Sequence, residues 1–177
     1  EHVLVASTHS DVLFFTNKGL VYQLKGYEIP ESGRTAKGTA IVNLLPLAKE
    51  ETITAIIPIK EFSKDRYLFM ATRHGIVKKT GLSEFDTNRK KTGLIALSLK
   101  ENDELIGVKL TDGNRQIIIG TRDGMSICFN EQDVRPMGRT ARGVIGIKLK
   151  GEDTVIGMDN IRDDCEVLTV TEHGFGK

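Results

Sequence analysis

The chain repeats itself with a period near fifty residues, and no other feature of its sequence limits the fold so tightly. Aligned on recurring glycines it reads FFTNKGLVYQL around Gly19, FMATRHGIVKK around Gly75, IIGTRDGMSIC around Gly124 and LTVTEHGFGK around Gly174, at spacings of 56, 49 and 50 residues. Each copy has a threonine three positions before the glycine (Thr16, Thr72, Thr121, Thr171) and two polar residues between. Such a stretch, flanked by β-branched and aromatic runs, predicts a hairpin whose glycine is left-handed, as in a type I turn followed by a bulge.

A second glycine follows at a nearly fixed offset: Gly38, Gly93 and Gly143 lie 19, 18 and 19 residues after the first. Between the two come an acidic and an apolar residue (Glu28-Ile29, Glu84-Phe85, Asp133-Val134), then an arginine (Arg34, Arg89, Arg139). After the second glycine come an apolar segment (AIVNLLPL, LIALSL, VIGIKL), an acidic turn (KEET, KENDE, KGEDT) and another apolar run. Runs such as DVLFF, YLFMA, QIIIG and EVLTV are short, and none sustains helical spacing for three turns. The expected fold is all-β: a propeller-like array of four-stranded blades, each burying its faces against its neighbours. The repeats divide as 1–57, 58–108 and 109–158, with 159–177 starting a fourth, and about three full units flanked by partial ones read as a fragment of a larger ring.

Composition removes several classes of function. Over 177 residues, 25 Lys and Arg nearly balance 24 Asp and Glu, so a polyanion partner requires the cations to be gathered on one part of the surface. No apolar run approaches the length that spans a bilayer, and the first residues, EHVLVAST, lack a signal-peptide pattern, so a cytoplasmic, membrane-free protein is expected. Cys128 and Cys165 are 37 residues apart without a CxxC or a histidine at ligand spacing; both are expected to be buried apolar residues, with no metal site. His74 and His173 occupy the same hairpin position, and Glu28, Glu84 and Asp133 recur once per unit, which suits a partner for an arginine or a backbone amide rather than a paired acid and base. No phosphate-loop or nucleophile-elbow motif is present, so no catalytic residue is assigned.

The stretch between each arginine and the second glycine carries the functional signal. The copies read RTAKG, RKKTG and RTARG, giving Arg34 and Lys37, then Arg89, Lys90 and Lys91, then Arg139 and Arg142. Two or more cations among small residues beside a glycine let guanidinium groups and backbone amides approach one phosphate oxygen together. Repeated in register on successive blades, such loops form a belt matched to one long polyanion. Lys78 and Lys79, with Lys18, Lys25 and Lys177, are weaker candidates for the same contact or plain surface lysines. A protein-binding propeller scaffold shares the period but does not need cations at the same rim position.

The stretches FFTNKGLVYQLKGYEIPE, KGTAIVNLLPL, FMATRHGIVKKT, DELIGVKLTDG, VRPMGRTARGVIGIKL and VTEHGFGK resemble, along essentially the whole chain, the C-terminal domain of the A subunit of bacterial DNA gyrase. The related topoisomerase IV domain is the alternative within that superfamily. The resemblance implies a β-pinwheel, a six-bladed ring with strands exchanged between blades. It implies DNA wrapping on the outer rim in support of ATP-dependent negative supercoiling, within an A2B2 assembly of the A and B subunits associated with the bacterial chromosome. It implies no cofactor in this piece, because ATP and magnesium act elsewhere in the whole enzyme, as does the cleavage tyrosine; Tyr22, Tyr27 and Tyr67 inherit no role. The family's wrapping heptapeptide, Gln-Arg-Arg-Gly-Gly-(Lys/Arg)-Gly, is not among these 177 residues. By register it belongs to the unit before residue 1, and a chain without it is expected to bind DNA but wrap it poorly.

Overall fold

In the computed structural model, which describes residues 3–87, 92–161 and 166–176, every regular element is a strand or a single 3-10 turn. The strands are β1 (Asp11–Thr16), β2 (Leu20–Lys25), β3 (Ile53–Ile59), β4 (Tyr67–Thr72), β5 (Ile76–Gly81), β6 (Leu94–Ile95), β7 (Leu105–Thr111), β8 (Gln116–Thr121), β9 (Ser126–Asn130), β10 (Val144–Ile145) and β11 (Val155–Ile161). No helix among the described residues is long and apolar enough to cross a membrane.

The hairpins β1–β2, β4–β5 and β8–β9 form where the threonine and glycine landmarks place them. Gly19, Gly75, Gly124 and Gly174 all have φ between 74° and 86°, and each donates its N–H to the carbonyl of the threonine three residues before it. The threonine has a second task. Its Oγ1 accepts the N–H of the residue after the glycine, Leu20, Ile76, Met125 or Phe175, at 3.1–3.4 Å. Thr72→Val keeps the shape but removes that acceptor from the partly buried Ile76 amide. It is expected to cost about 1–2 kcal/mol, read as a lower urea midpoint with an unchanged slope. The fourth copy is reduced to one bridge, Val170 with Gly176, so the expected strand EVLTV does not form over the described part, 166–170.

The sheets do not follow the repeats. Their orders are β3-β1-β2-β6, β10-β5-β4-β7 and β11-β8-β9, so β6 from the second repeat completes the first sheet and β10 from the third completes the second. Positions 57/58, 108/109 and 158/159, where the repeats divide in the sequence, fall inside β3, β7 and β11. The exchange is built from the hairpin glycines: Gly19 O accepts the N–H groups of Ala96 and Leu97, and Gly75 O those of Gly146 and Ile147. Two further bonds repeat in register, Leu105 N–H to Asn17 O at 3.0 Å and Val155 N–H to Arg73 O at 2.9 Å.

At the other edge β3 packs on β7 and β7 on β11. One core lies between the first two sheets, with Leu13, Phe15, Leu68, Met70 and Leu105, and another between the second and third, with Phe69, Ile117, Ile119 and Val155. Phe14, Phe15 and Phe69 are buried and Phe129 packs against the second core, as their strand positions suggest. In the first unit AIVNLLPL is not a strand. It makes a 3-10 turn at Ile41–Asn43 and places Leu45 over Val12, Phe14 and Tyr22, an apolar face that needs a cover.

Cys128 is exposed, contrary to the expected burial. It stands on β9, the open edge of a sheet that has three strands among the described residues, at the position of the buried Gln23 and Lys79. Cys165 lies outside the described residues.

Candidate nucleic-acid interface

The repeated GRTA sequence makes the same turn twice. Ala36 N–H donates to Gly33 O at 3.0 Å and Ala141 N–H to Gly138 O at 3.1 Å, and the glycines that close the loops, Gly38 and Gly143, have φ of 73° and 90°. A short 3-10 turn precedes each loop, Gly26–Glu28 after β2 and Glu131–Asp133 after β9. Glu28 accepts the Lys25 N–H at 2.8 Å, a backbone-amide partner of the kind its recurrence suggests.

The third unit's turn sits at the sheet edge farthest from the packed inner strands, because it leads into β10, the outermost strand of the second sheet. Its carbonyls are taken by the protein. Ser98 Oγ donates to Thr140 O at 2.7 Å, Ser98 N–H to Ala141 O at 3.3 Å, and Lys78 Nζ to Arg139 O. Just upstream, Met137 N–H donates to Lys79 O at 2.8 Å. Around the first unit's turn, residues 31–40 are exposed, and a Cβ at Gly33 or Gly38 meets no described atom within 4 Å.

Arg34, Lys37 and Arg142 are exposed and Arg139 is half-buried. None of the four pairs with a described carboxylate, whereas several cations on the strands and hairpins are matched: Lys25 with Asp11 at 2.8 Å, Lys109 with Asp159 at 2.8 Å, Arg73 with Glu104 at 3.6 Å and Arg122 with Asp123 at 3.1 Å. A near-neutral chain thus leaves positive charge uncompensated at the turns. Arg135, on the same loop as Arg139, is a further exposed cation that the requirement of recurrence in every unit passes over, since Pro30 and Asp86 stand at its place in the other two. Arg89, Lys90 and Lys91 lie outside the described residues, as does Lys177.

Lys78 and Lys79 correct the expectation of surface lysines. Lys78 has no exposed surface and donates to Ala96 O at 2.6 Å as well as to Arg139 O. Lys79, on the opposite face of β5, donates to Glu131 O at 2.7 Å with its ammonium 5.3 Å from the Tyr67 ring centre. Burial lowers the pKa of both, to about 8 for Lys78, where the Arg139 guanidinium lowers it further and Glu84 opposes. Charge alone suggests solvent; backbone carbonyls far along the chain, two of them in the next unit, hold them inside.

His74 is a hairpin residue, its N–H donating to Asp103 Oδ1 at 2.9 Å. Asp153 repeats the arrangement, accepting the Asp123 N–H at 3.0 Å. Among the described residues no group of three His, Cys, Asp or Glu side chains could hold a metal ion.

Stacked four-stranded sheets that borrow their outermost strand from the following unit define a strand-exchanged β-propeller, the β-pinwheel. The chain belongs to the DNA gyrase C-terminal domain family: a family model described as "DNA gyrase C-terminal domain, beta-propeller" matches residues 10–60, 66–112 and 115–162, one unit each. It is 52% identical to the DNA gyrase A subunit of Haloquadratum walsbyi over 99% of its length, and 57% identical to that of Halalkalibacterium halodurans over 83%. It covers 21% and 18% of those relatives, about a fifth of their length. Among solved structures, the C-terminal domain of DNA topoisomerase IV superposes with a TM-score of 0.90 at 33% identity, over 96% of this chain and 53% of that one. The DNA gyrase A C-terminal domain superposes with a TM-score of 0.78 at 26% identity, over 97% of this chain and 54% of that one.

Proposed function

We propose that this domain binds duplex DNA through its phosphates, without reading sequence, along the outer edge where the arginine-lysine turns stand. The observation that carries the reading is the identical Gly-Arg-Thr-Ala turn in the first and third units, bearing cations that pair with no described carboxylate on a chain of near-zero net charge. Nothing in the turns resembles a base reader: the outward groups are guanidinium and ammonium, which suit phosphate oxygens. Within the whole gyrase the domain wraps DNA to bias the crossing presented for strand passage, in concert with the B subunit, which supplies ATP hydrolysis, and with the rest of the A subunit. Bending duplex over such an edge costs on the order of several kcal/mol, so many weak phosphate contacts must act together. The domain needs no cofactor of its own for this and works in the cytoplasm on the chromosome.

A salt titration of duplex binding tests the reading. With four to six phosphates neutralised, log Kd is expected to rise with log salt at a slope of roughly four to five, equally for unrelated sequences. Absence of binding at low salt would instead favour the protein-binding scaffold.

A further inference from the structure

Lys78 on β5 has no exposed surface, and its ammonium is bound to no carboxylate among the described residues. Its two acceptors belong to consecutive exchanged segments. Ala96 O follows β6, which completes the first sheet, and Arg139 O lies in the turn leading to β10, which completes the second. Ser98, two residues beyond Ala96, takes the next two carbonyls of the same turn, those of Thr140 and Ala141. Three consecutive carbonyl oxygens, the groups that would repel a phosphate, are thereby turned into the protein while Arg142 remains exposed and Arg139 partly so. The matching position in the first unit is Tyr22, which bonds Glu51 at 3.2 Å instead.

We propose that Lys78 is a positioning residue for DNA: by donating to Ala96 O and Arg139 O, its buried ammonium fixes the Arg139–Arg142 turn so that both guanidinium groups meet the phosphate backbone already oriented. The inference rests on the DNA-binding reading above. A buried ammonium held by two neutral carbonyls is costly to keep charged, and burial brings its pKa down to about 8. The charged groups that act on it are Arg139 from the turn, which lowers the pKa, and Glu84 from the 3-10 turn Leu82–Phe85, which raises it. A phosphate arriving at Arg139 offsets that guanidinium's effect, so DNA favours the protonated lysine.

Affinity and stability then move in opposite directions with pH. The folded pKa lies below the ordinary 10.5, so between about 8 and 10.5 the unfolded chain holds a proton that the folded chain lacks, and this group's contribution to stability rises with pH. DNA affinity falls over the same window, because the neutral amine holds the turn less firmly. A loss of affinity caused by unfolding would instead accompany a fall in stability.

The test measures binding of a mixed-sequence duplex at fixed salt from about pH 7 to about pH 9.5 for the wild type and Lys78→Met, with thermal melts and amide exchange at Ser98 on the same samples. The wild type is expected to lose about tenfold in affinity across that range without losing stability, while Lys78→Met binds about tenfold more weakly at pH 7 and shows no pH dependence. A folded Lys78→Met with wild-type affinity and pH profile overturns the proposal. If that variant does not fold, a flat wild-type profile overturns it. If neither protein binds duplex, the DNA reading fails by itself. Intrinsic-rate-corrected protection at Ser98 then decides the anchor: its loss above pH 8 in the wild type supports it, and full retention rejects it.

Discussion

Gly143→Ala is expected to lower the stability of the domain by about 3 kcal/mol, and Gly38→Ala by only about 1 kcal/mol, although both glycines close the same loop in the repeat. Both are left-handed, at φ of 90° and 73°, so each substitution carries the conformational penalty of a side chain there. The difference is packing. A Cβ on Gly143 would stand 2.4 Å from Val77 O and 2.9 Å from Ile76 Cγ2, backbone and branched side chain of β5, whereas a Cβ on Gly38 meets nothing within 4 Å. Neither β5 group can swing aside, because Val77 is paired with Val144 and Ile76 with Ile145. The strain is relieved by lifting β10 from the second sheet, and the Arg139–Arg142 turn loses its seat with it. Paired denaturant titrations give the answer: equal losses at the two positions would show that the close approach of Gly143 to β5 contributes nothing to stability. Duplex affinity should fall along with stability for Gly143→Ala and hold for Gly38→Ala.

What could be read from the sequence is what a few adjacent residues decide. A hairpin needs its threonine acceptor, polar pair and left-handed glycine within five positions, so the four landmarks located the turns and the strands of the first three. The partner of a short apolar segment is a different matter. Leu94–Ile95 and Val144–Ile145 read equally well as strands of their own unit, and only the carbonyls of Gly19 and Gly75, reached across about seventy residues of chain, assign them to the sheet before. Lys78 was opaque for the same reason, since its acceptors lie 18 and 61 residues away. Cys128 shows the converse: an apolar residue on a strand is buried only if another strand or sheet covers it, and among the described residues β9 is an edge. The paired cations of the turns were legible because GRTA[KR]G encodes both the turn and the charge; the seat of the third unit's turn was not, because Ser98 and Lys78 come from another repeat.

The seat under the third unit's turn sets the effect expected from charge reversal. Arg139→Glu with Arg142→Glu should weaken duplex binding on the order of a hundredfold near physiological salt, for all sequences alike, and flatten the salt slope by about two units, one for each phosphate no longer neutralised. Arg34→Glu with Lys37→Glu removes the same formal charge and should flatten the slope equally. Measured on these 177 residues, it should cost less affinity, roughly tenfold, because a turn that no described residue seats must be ordered when DNA arrives and so contributes less net free energy per phosphate. Arg122→Glu, which reverses a hairpin cation already matched by Asp123 at 3.1 Å, serves as the control and should leave the slope nearly intact. The slopes report how many phosphates are neutralised, and the difference in affinity at equal slope reports how well each turn is held beforehand. An unchanged slope in the Arg139/Arg142 double variant would remove the turns from the interface. Equal losses of affinity for the two pairs would leave the turns touching DNA but strip the Ser98 and Lys78 seat of its effect.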